Sequence, residues 1–166
     1  MNKTYITWED LNAGIGKLVR SMAVDGFRPD VVLGPGRGGY IGGVMLSHYY
    51  DVPFEGFRWQ TRDGTTKDIE HLTGLLNEYS TSNVLMFDDI NDTGTTLMGI
   101  DNIVQENSKL LLHGNIKYAT IHNKESSNFG EVKYTAKTIL PDEESWIVYP
   151  YEDWWWNGNE KNRNTE

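Results

Sequence analysis

No cysteine occurs among the 166 residues, which excludes disulfides and any thiolate metal site. Basic residues are scarce: 15 Lys and Arg stand against 24 Asp and Glu, for a net charge of -9. Nucleic-acid surfaces work by counterion release to clustered Lys and Arg, so this balance argues against one. The same field opposes a polyanionic ligand, and any anion site must rely on local cations, backbone N–H groups or a metal ion. No apolar run is long enough to span a bilayer and no leader peptide is evident. The expectation is a soluble, cytoplasmic protein with no membrane partner. No repeat or linker divides the chain, so 1–156 is expected to form one domain, followed by a polar, frayed tail over 157–166.

What the chain does have is concentrated in Val84 to Thr96, VLMFDDINDTGTT. Four apolar residues, Val84 to Phe87, are too few for an amphipathic helix but suit a buried parallel strand, and they run into Asp88 and Asp89. A polar turn follows, after which Leu97, Met98, Ile100, Ile103 and Val104 recur at helical spacing. Strand, loop and helix in this order make a phosphate cradle: Gly94 admits close backbone approach, Thr93, Thr95 and Thr96 offer hydroxyls, and the helix start offers free N–H groups. Two acids beside an anion site suit a ligand with a phosphate at one end and a diol or metal ion in its middle. The plainer alternative is a βα turn whose acids cap the next helix.

A second strand-turn-helix junction lies upstream. Val31 to Leu33 open into GPGRGG, Gly34 to Gly39, and Ile41, Val44, Met45 and Tyr49 suggest a helix after it. Gly36, Arg37, Gly38 and Gly39 fit a second anion loop, or else a flexible turn with a solvated Arg; the dinucleotide fingerprint is met only loosely. Before this, TWED, Thr7 to Asp10, is a capping box opening a helix with Leu11, Ile15, Leu18, Val19 and Met22 on one face. After it come a strand over Val52 to Trp59 and a polar loop from Gln60 to His71, read as a lid in which Arg62 and Lys67 carry charge, or as a solvated loop. Ile116 to Ile121 form a further strand ending near Lys124, either a ligand contact or a surface residue. Trp146 is a stacking platform or core, and Trp154 to Trp156 read as packing or an oligomer contact. His48, His71, His113 and His122 show no metal-ligand spacing and are expected to be structural or surface residues.

The Val84 to Thr96 stretch resembles the signature by which type I phosphoribosyltransferases bind phosphoribosyl pyrophosphate (PRPP), and GRGG, TIHNK and the Trp146 segment resemble parts of the 6-oxopurine branch. The resemblance implies an α/β fold with a mostly parallel central sheet flanked by helices and a small C-terminal hood, mainly over 140–156. It implies Mg²⁺ as cofactor, PRPP and a purine base as partners, and a homo-oligomer, dimer or tetramer. By resemblance, Asp92 with Thr93, Gly94, Thr95 and Thr96 holds the 5-phosphate, and Asp88 and Asp89 hold ribose or metal. Gly36, Arg37, Gly38, Gly39, Arg62 and Lys67 face pyrophosphate, and the GRGG loop is expected to contain a non-proline cis peptide. Lys124, Trp146 and Ile147 meet the base, and Asp92 is the general base. The implied reaction gives a nucleoside monophosphate and pyrophosphate from hypoxanthine, guanine or xanthine, as in purine salvage. Alternatives are a nucleotide-binding regulator of the same fold and a phosphoribosyltransferase for another base. Departures from the family pattern are DTGTT in place of a double-glycine loop, Asn91 where an apolar residue is common, and YPYED where a Pro-Trp pair is usual.

Overall fold

The computed structural model describes residues 2–60, 66–107, 115–143, 145–152 and 154. The first strand, β1 (Lys3–Tyr5), pairs in parallel with the last, β7 (Trp146–Val148). Between them β2 (Val31–Pro35), β3 (Phe54–Phe57), β4 (Asn83–Asn91), β5 (Asn115–Lys124) and β6 (Val132–Ile139) form a parallel sheet in the order β3-β2-β4-β5-β6.

The apolar run of β4 reads as unbroken because both sides of the sheet are covered. Leu85 and Phe87 pack with α1 (Trp8–Asp25) and α2 (Gly36–Tyr50), whereas Val84 and Met86 pack with α3 (Ile69–Glu78) and α4 (Thr95–Glu106). α1 starts as its sequence requires: Asp10 N–H donates to Thr7 Oγ1 at 3.0 Å and Thr7 N–H donates back to Asp10 Oδ2 at 2.9 Å. Its buried face includes Leu11, Ile15, Leu18, Val19 and Met22, the residues that the spacing predicts.

Several expectations are corrected. Helix α2 begins at Gly36, so Arg37, Gly38 and Gly39 form its first turn and not a loop before it. Its buried face carries Gly39, Gly42, Gly43, Leu46, Ser47 and Tyr50, while Val44 and Tyr49 are exposed. Hydropathy misplaces this face because glycine carries none: a Cβ on Gly43 would stand 2.5 Å from the Phe54 ring, and the bare backbone lets the helix lie on the sheet. The loop expected to reach His71 ends earlier, since Asp68 accepts from His71 N–H and caps α3, placing His71 inside that helix. The strand expected over Val52 to Trp59 is limited to Phe54–Phe57. β7, in the segment expected to form the hood, pairs with β1 from the other end of the chain. Met98, expected on the packed face of α4, is 41% exposed.

Topology sets the place of the site. The chain leaves β2 for β3 on one side and returns to β4 on the other, so the carboxyl ends of β2 and β4 flank the point where strand order reverses. Both glycine- and threonine-rich junctions open there.

Candidate active site

Asp88 and Asp89 lie near the carboxyl end of β4, each only 8% exposed. Their Oδ1 atoms converge on the first turn of α2, where a Cβ added to Gly38 would stand 2.5 Å from Asp88 Oδ1 and 2.7 Å from Asp89 Oδ1. Burial pushes the Asp88 carboxyl well above the usual carboxylate range, and the neighbouring Asp89 charge adds to this. Asp89 is pushed up to about 6, first by burial, with a hydrogen bond from Tyr151 acting in the opposite direction. Among the described residues neither acid has a Lys or Arg partner. Two buried carboxylates lacking a countercharge are suited to a cation or to hydroxyl donors.

Helix starts divide into two kinds. α1 and α3 are closed by the side chains of Thr7 and Asp68 and carry acids in their first turns. α2 and α4, with Pro35 and Gly94 as N-caps, have no side-chain cap and no acid in the first turn. The positive ends of their dipoles favour an anion, and at the start of α4 Thr95 N–H donates to Thr93 Oγ1 at 3.4 Å. Arg37 adds an exposed guanidinium to the first of them.

The Asp92 to Thr96 loop is held from behind by a polar network that begins at Asn91, 2% exposed. Its amide donates to Asn123 Oδ1 at 2.7 Å and to the Phe129 carbonyl at 2.9 Å, while its Oδ1 accepts from Ser127 Oγ at 2.9 Å. Asn128 N–H donates to the Thr93 carbonyl at 3.1 Å. Gly94 has φ +88°, and a Cβ there would stand 2.6 Å from Phe129 N, so only glycine fits the turn. Within the loop the Thr93 and Thr95 hydroxyls are 2.9 Å apart. Across its mouth, Lys124 Nζ at the end of β5 pairs with Asp92 Oδ1 at 2.6 Å.

With this geometry in place, the relatives decide the family. The family model described as the phosphoribosyl transferase domain matches residues 5–153. The chain belongs to the phosphoribosyltransferase family. Among solved structures, a purine phosphoribosyltransferase from Pyrococcus horikoshii Ot3 is 27% identical with a TM-score of 0.68, over 97% of this chain and 99% of that one. The Helicobacter pylori xanthine-guanine-hypoxanthine phosphoribosyltransferase is 18% identical with a TM-score of 0.66, over 92% and 95%. A hypothetical protein from Neisseria gonorrhoeae with bound ppGpp is 21% identical with a TM-score of 0.68, over 91% and 89%. A search of curated proteins found no match.

Against the phosphoribosyltransferase resemblance, the remaining expected site residues fall out unevenly. The described residues contain no cis peptide bond, so the expected one at the GRGG turn is corrected; Gly36 there adopts φ +51° instead. Arg62 lies outside the described residues. Lys67 is exposed and sets its Nζ over the Trp59 ring, 5.3 Å from the centroid. Around it Gln60 N–H donates to the Thr66 carbonyl at 2.8 Å and Asp68 N–H to the Arg58 carbonyl at 2.9 Å, so the flanks of the polar segment pair as a hairpin stem. Trp146, on β7, is 38% exposed, and Ile147 packs partly against the core. Trp154 is 74% exposed; Trp155, Trp156, His113 and the 157–166 tail lie outside the described residues.

Sequence reasoning missed Asn91 as the anchor of the Asp92 to Thr96 loop, and it missed Tyr149 and Tyr151; His122, expected to be structural or surface, is buried against Tyr149. Tyr149 donates to the Asp89 carbonyl at 2.8 Å, and Tyr151 donates to Asp89 Oδ2 at 2.6 Å. Because the single Tyr149 hydroxyl proton is used in this way, its 2.7 Å contact with His122 Nδ1 must be donated by the imidazole, which fixes the tautomer. The only signal was YPY, visible as a departure from the family pattern.

His122 is 6% exposed, and burial pulls its pKa down to about 4 from the 6.5 of a free imidazole. The unfolded chain therefore binds a proton that the folded chain refuses as pH falls from about 6.5 to about 4, and stability is lost across that window, by about 3 kcal/mol at most. Urea unfolding at pH 7 and pH 4.5 checks this: His122→Asn, which keeps a donor near Nδ1, is expected to lose less stability on acidification than the wild type.

Proposed function

We propose that this phosphoribosyltransferase transfers the 5-phosphoribosyl group of PRPP to a 6-oxopurine, releasing pyrophosphate and a nucleoside monophosphate. The observation that supports this base class is the Lys124–Asp92 pair, which sets a fixed cation beside a fixed carboxylate at the mouth of the phosphate loop. A 6-oxopurine presents a carbonyl oxygen next to an N7 proton, so an acceptor meets the ammonium and a donor meets the carboxylate. Adenine presents an amino donor in place of that oxygen and meets Lys124 with the wrong sign.

In the reaction, a ring nitrogen of the base forms a bond to the anomeric carbon as the bond to pyrophosphate breaks, through a transition state with oxocarbenium character. Asp92 takes the N7 proton as general base, and its contact with Lys124 Nζ at 2.6 Å holds the carboxylate in place for that role. The uncapped start of α4 with Thr93, Thr95 and Thr96 holds the 5-phosphate, and the start of α2 with Arg37 faces the pyrophosphate. Asp88 and Asp89 suit Mg²⁺, which binds through one or two carboxylates with phosphate oxygens completing its shell. When bound, the ion offsets charge on the departing pyrophosphate. Trp146 and Ile147 offer an apolar platform for the ring.

Nucleotide binding tests the base class. IMP and GMP are expected to bind at least about tenfold more tightly than AMP, the worth of one matched polar contact, and Lys124→Met is expected to abolish that preference. Equal affinities in the wild type contradict the assignment. The second reading, a regulator that binds nucleotides without turnover, is favoured by the similarity to the ppGpp-bound Neisseria protein, and it predicts nucleotide binding with no product from any base.

A further inference from the structure

The C-terminal segment after β7 does more than close the hood. Tyr149 and Tyr151 stack with centroids 5.5 Å apart and planes within 4°, and Trp8 of α1 packs against Tyr151 at 6.4 Å. The pair grips one residue twice, since Tyr149 holds the Asp89 main-chain carbonyl and Tyr151 holds the Asp89 carboxylate. His122 buttresses Tyr149 from β5. Asp89 Oδ2 is thus committed to a phenol, while Oδ1 turns to the first turn of α2 beside Asp88 Oδ1. Without the phenol, a carboxylate is free to rotate about its last bond and to present either oxygen in either direction.

We propose that Tyr151 is a positioning residue for PRPP: its hydroxyl fixes the Asp89 carboxylate so that Oδ1 faces the ligand, and it joins the hood to the acidic pair as one mechanical piece. The assignment rests on the PRPP reading of the site. Loss of an outer partner that orients a ligating carboxylate typically costs about 10- to 100-fold in affinity or activity. Tyr134, which donates to Asp25 Oδ2 at the same 2.6 Å, provides a matched bond elsewhere on the sheet.

The test is calorimetric titration of the full chain with PRPP in the presence of Mg²⁺, alongside steady-state kinetics and thermal unfolding. Tyr151→Phe is expected to weaken PRPP binding about tenfold and to raise KM for PRPP in step, with kcat within about twofold, whereas Tyr134→Phe leaves the affinity unchanged. In an Asp89→Asn background, Tyr151→Phe is expected to cost less than about twofold further, because the residue acts through Asp89. Undiminished affinity in Tyr151→Phe, or a full additional loss on top of Asp89→Asn, overturns the proposal alone. Failure of the wild type to bind PRPP overturns the functional reading and this proposal with it.

Discussion

An Asp92→Asn variant is expected to form nucleotide about 100- to 10,000-fold more slowly than the wild type, the range that a positioned general base supplies. The amide keeps the shape of the side chain and cannot take the N7 proton. It also leaves Lys124 without the carboxylate that it meets at 2.6 Å, and this ion pair is largely withdrawn from water, with side-chain exposures of 14% and 27%. The loss is expected to fall mainly on kcat, because the start of α4 and the threonine hydroxyls proposed to hold the 5-phosphate are untouched. Steady-state kinetics with saturating PRPP and each 6-oxopurine checks it. A kcat within a few-fold of wild type shows that Asp92 serves only as the counter-ion of Lys124.

The second large effect joins activity to stability. Asp88 carries a pKa raised above its unfolded value by burial and by Asp89, so its proton is bound more tightly in the fold. The stability that this proton contributes is present in acid and lost as pH rises through the folded pKa, which leaves the unliganded protein strained at alkaline pH. Asp88→Asn removes the charge at constant shape. The unliganded variant is expected to melt several degrees higher than the wild type at pH 8, since about 1 kcal/mol corresponds to 2–4 °C in a chain of this size. It is expected to lose about two to three orders of magnitude in kcat/KM, as when one preorganised charged contact is removed. Calorimetric melting at pH 5 and pH 8, with and without PRPP and Mg²⁺, separates the two: the gain appears without ligand and at pH 8, and the ligand-induced rise in Tm disappears. An Asp88→Asn protein that melts lower than wild type at pH 8 contradicts the account of the acidic pair.

These effects centre on elements that the sequence displays openly. β4 is legible because a strand covered on both faces is apolar throughout, and its carboxylates are conspicuous for following directly. The α1 start is legible because a capping box is local, four residues satisfying one another's backbone. What stayed hidden depends on partners distant in sequence or on residues without a hydropathy signal. β1 has three exposed residues and becomes a strand only because β7 lies beside it. The buried face of α2 is made of glycines, so an apolar count selects Val44 and Tyr49, which face outward. Asn91 looks like a departure from an apolar position, yet its amide and carbonyl meet Asn123 on β5 and Ser127 and Phe129 in the loop after it. Tyr151 lies 62 residues from the carboxylate that it holds. Local chemistry marked the site, and long-range pairing supplied what holds it rigid.

The central claim, that the starts of α2 and α4 and the acidic pair on β4 form a PRPP site serving a 6-oxopurine, is tested most directly by nucleotide formation. Purified protein is incubated with PRPP and Mg²⁺ and offered hypoxanthine, guanine, xanthine, adenine or orotate separately, and pyrophosphate and nucleotide are measured. The account predicts product in equal amounts of both from one or more of the first three bases, and little from adenine or orotate. Product from adenine or orotate alone contradicts the base assignment, and no product from any base, with PRPP or nucleotide bound, contradicts the enzyme and leaves the regulator.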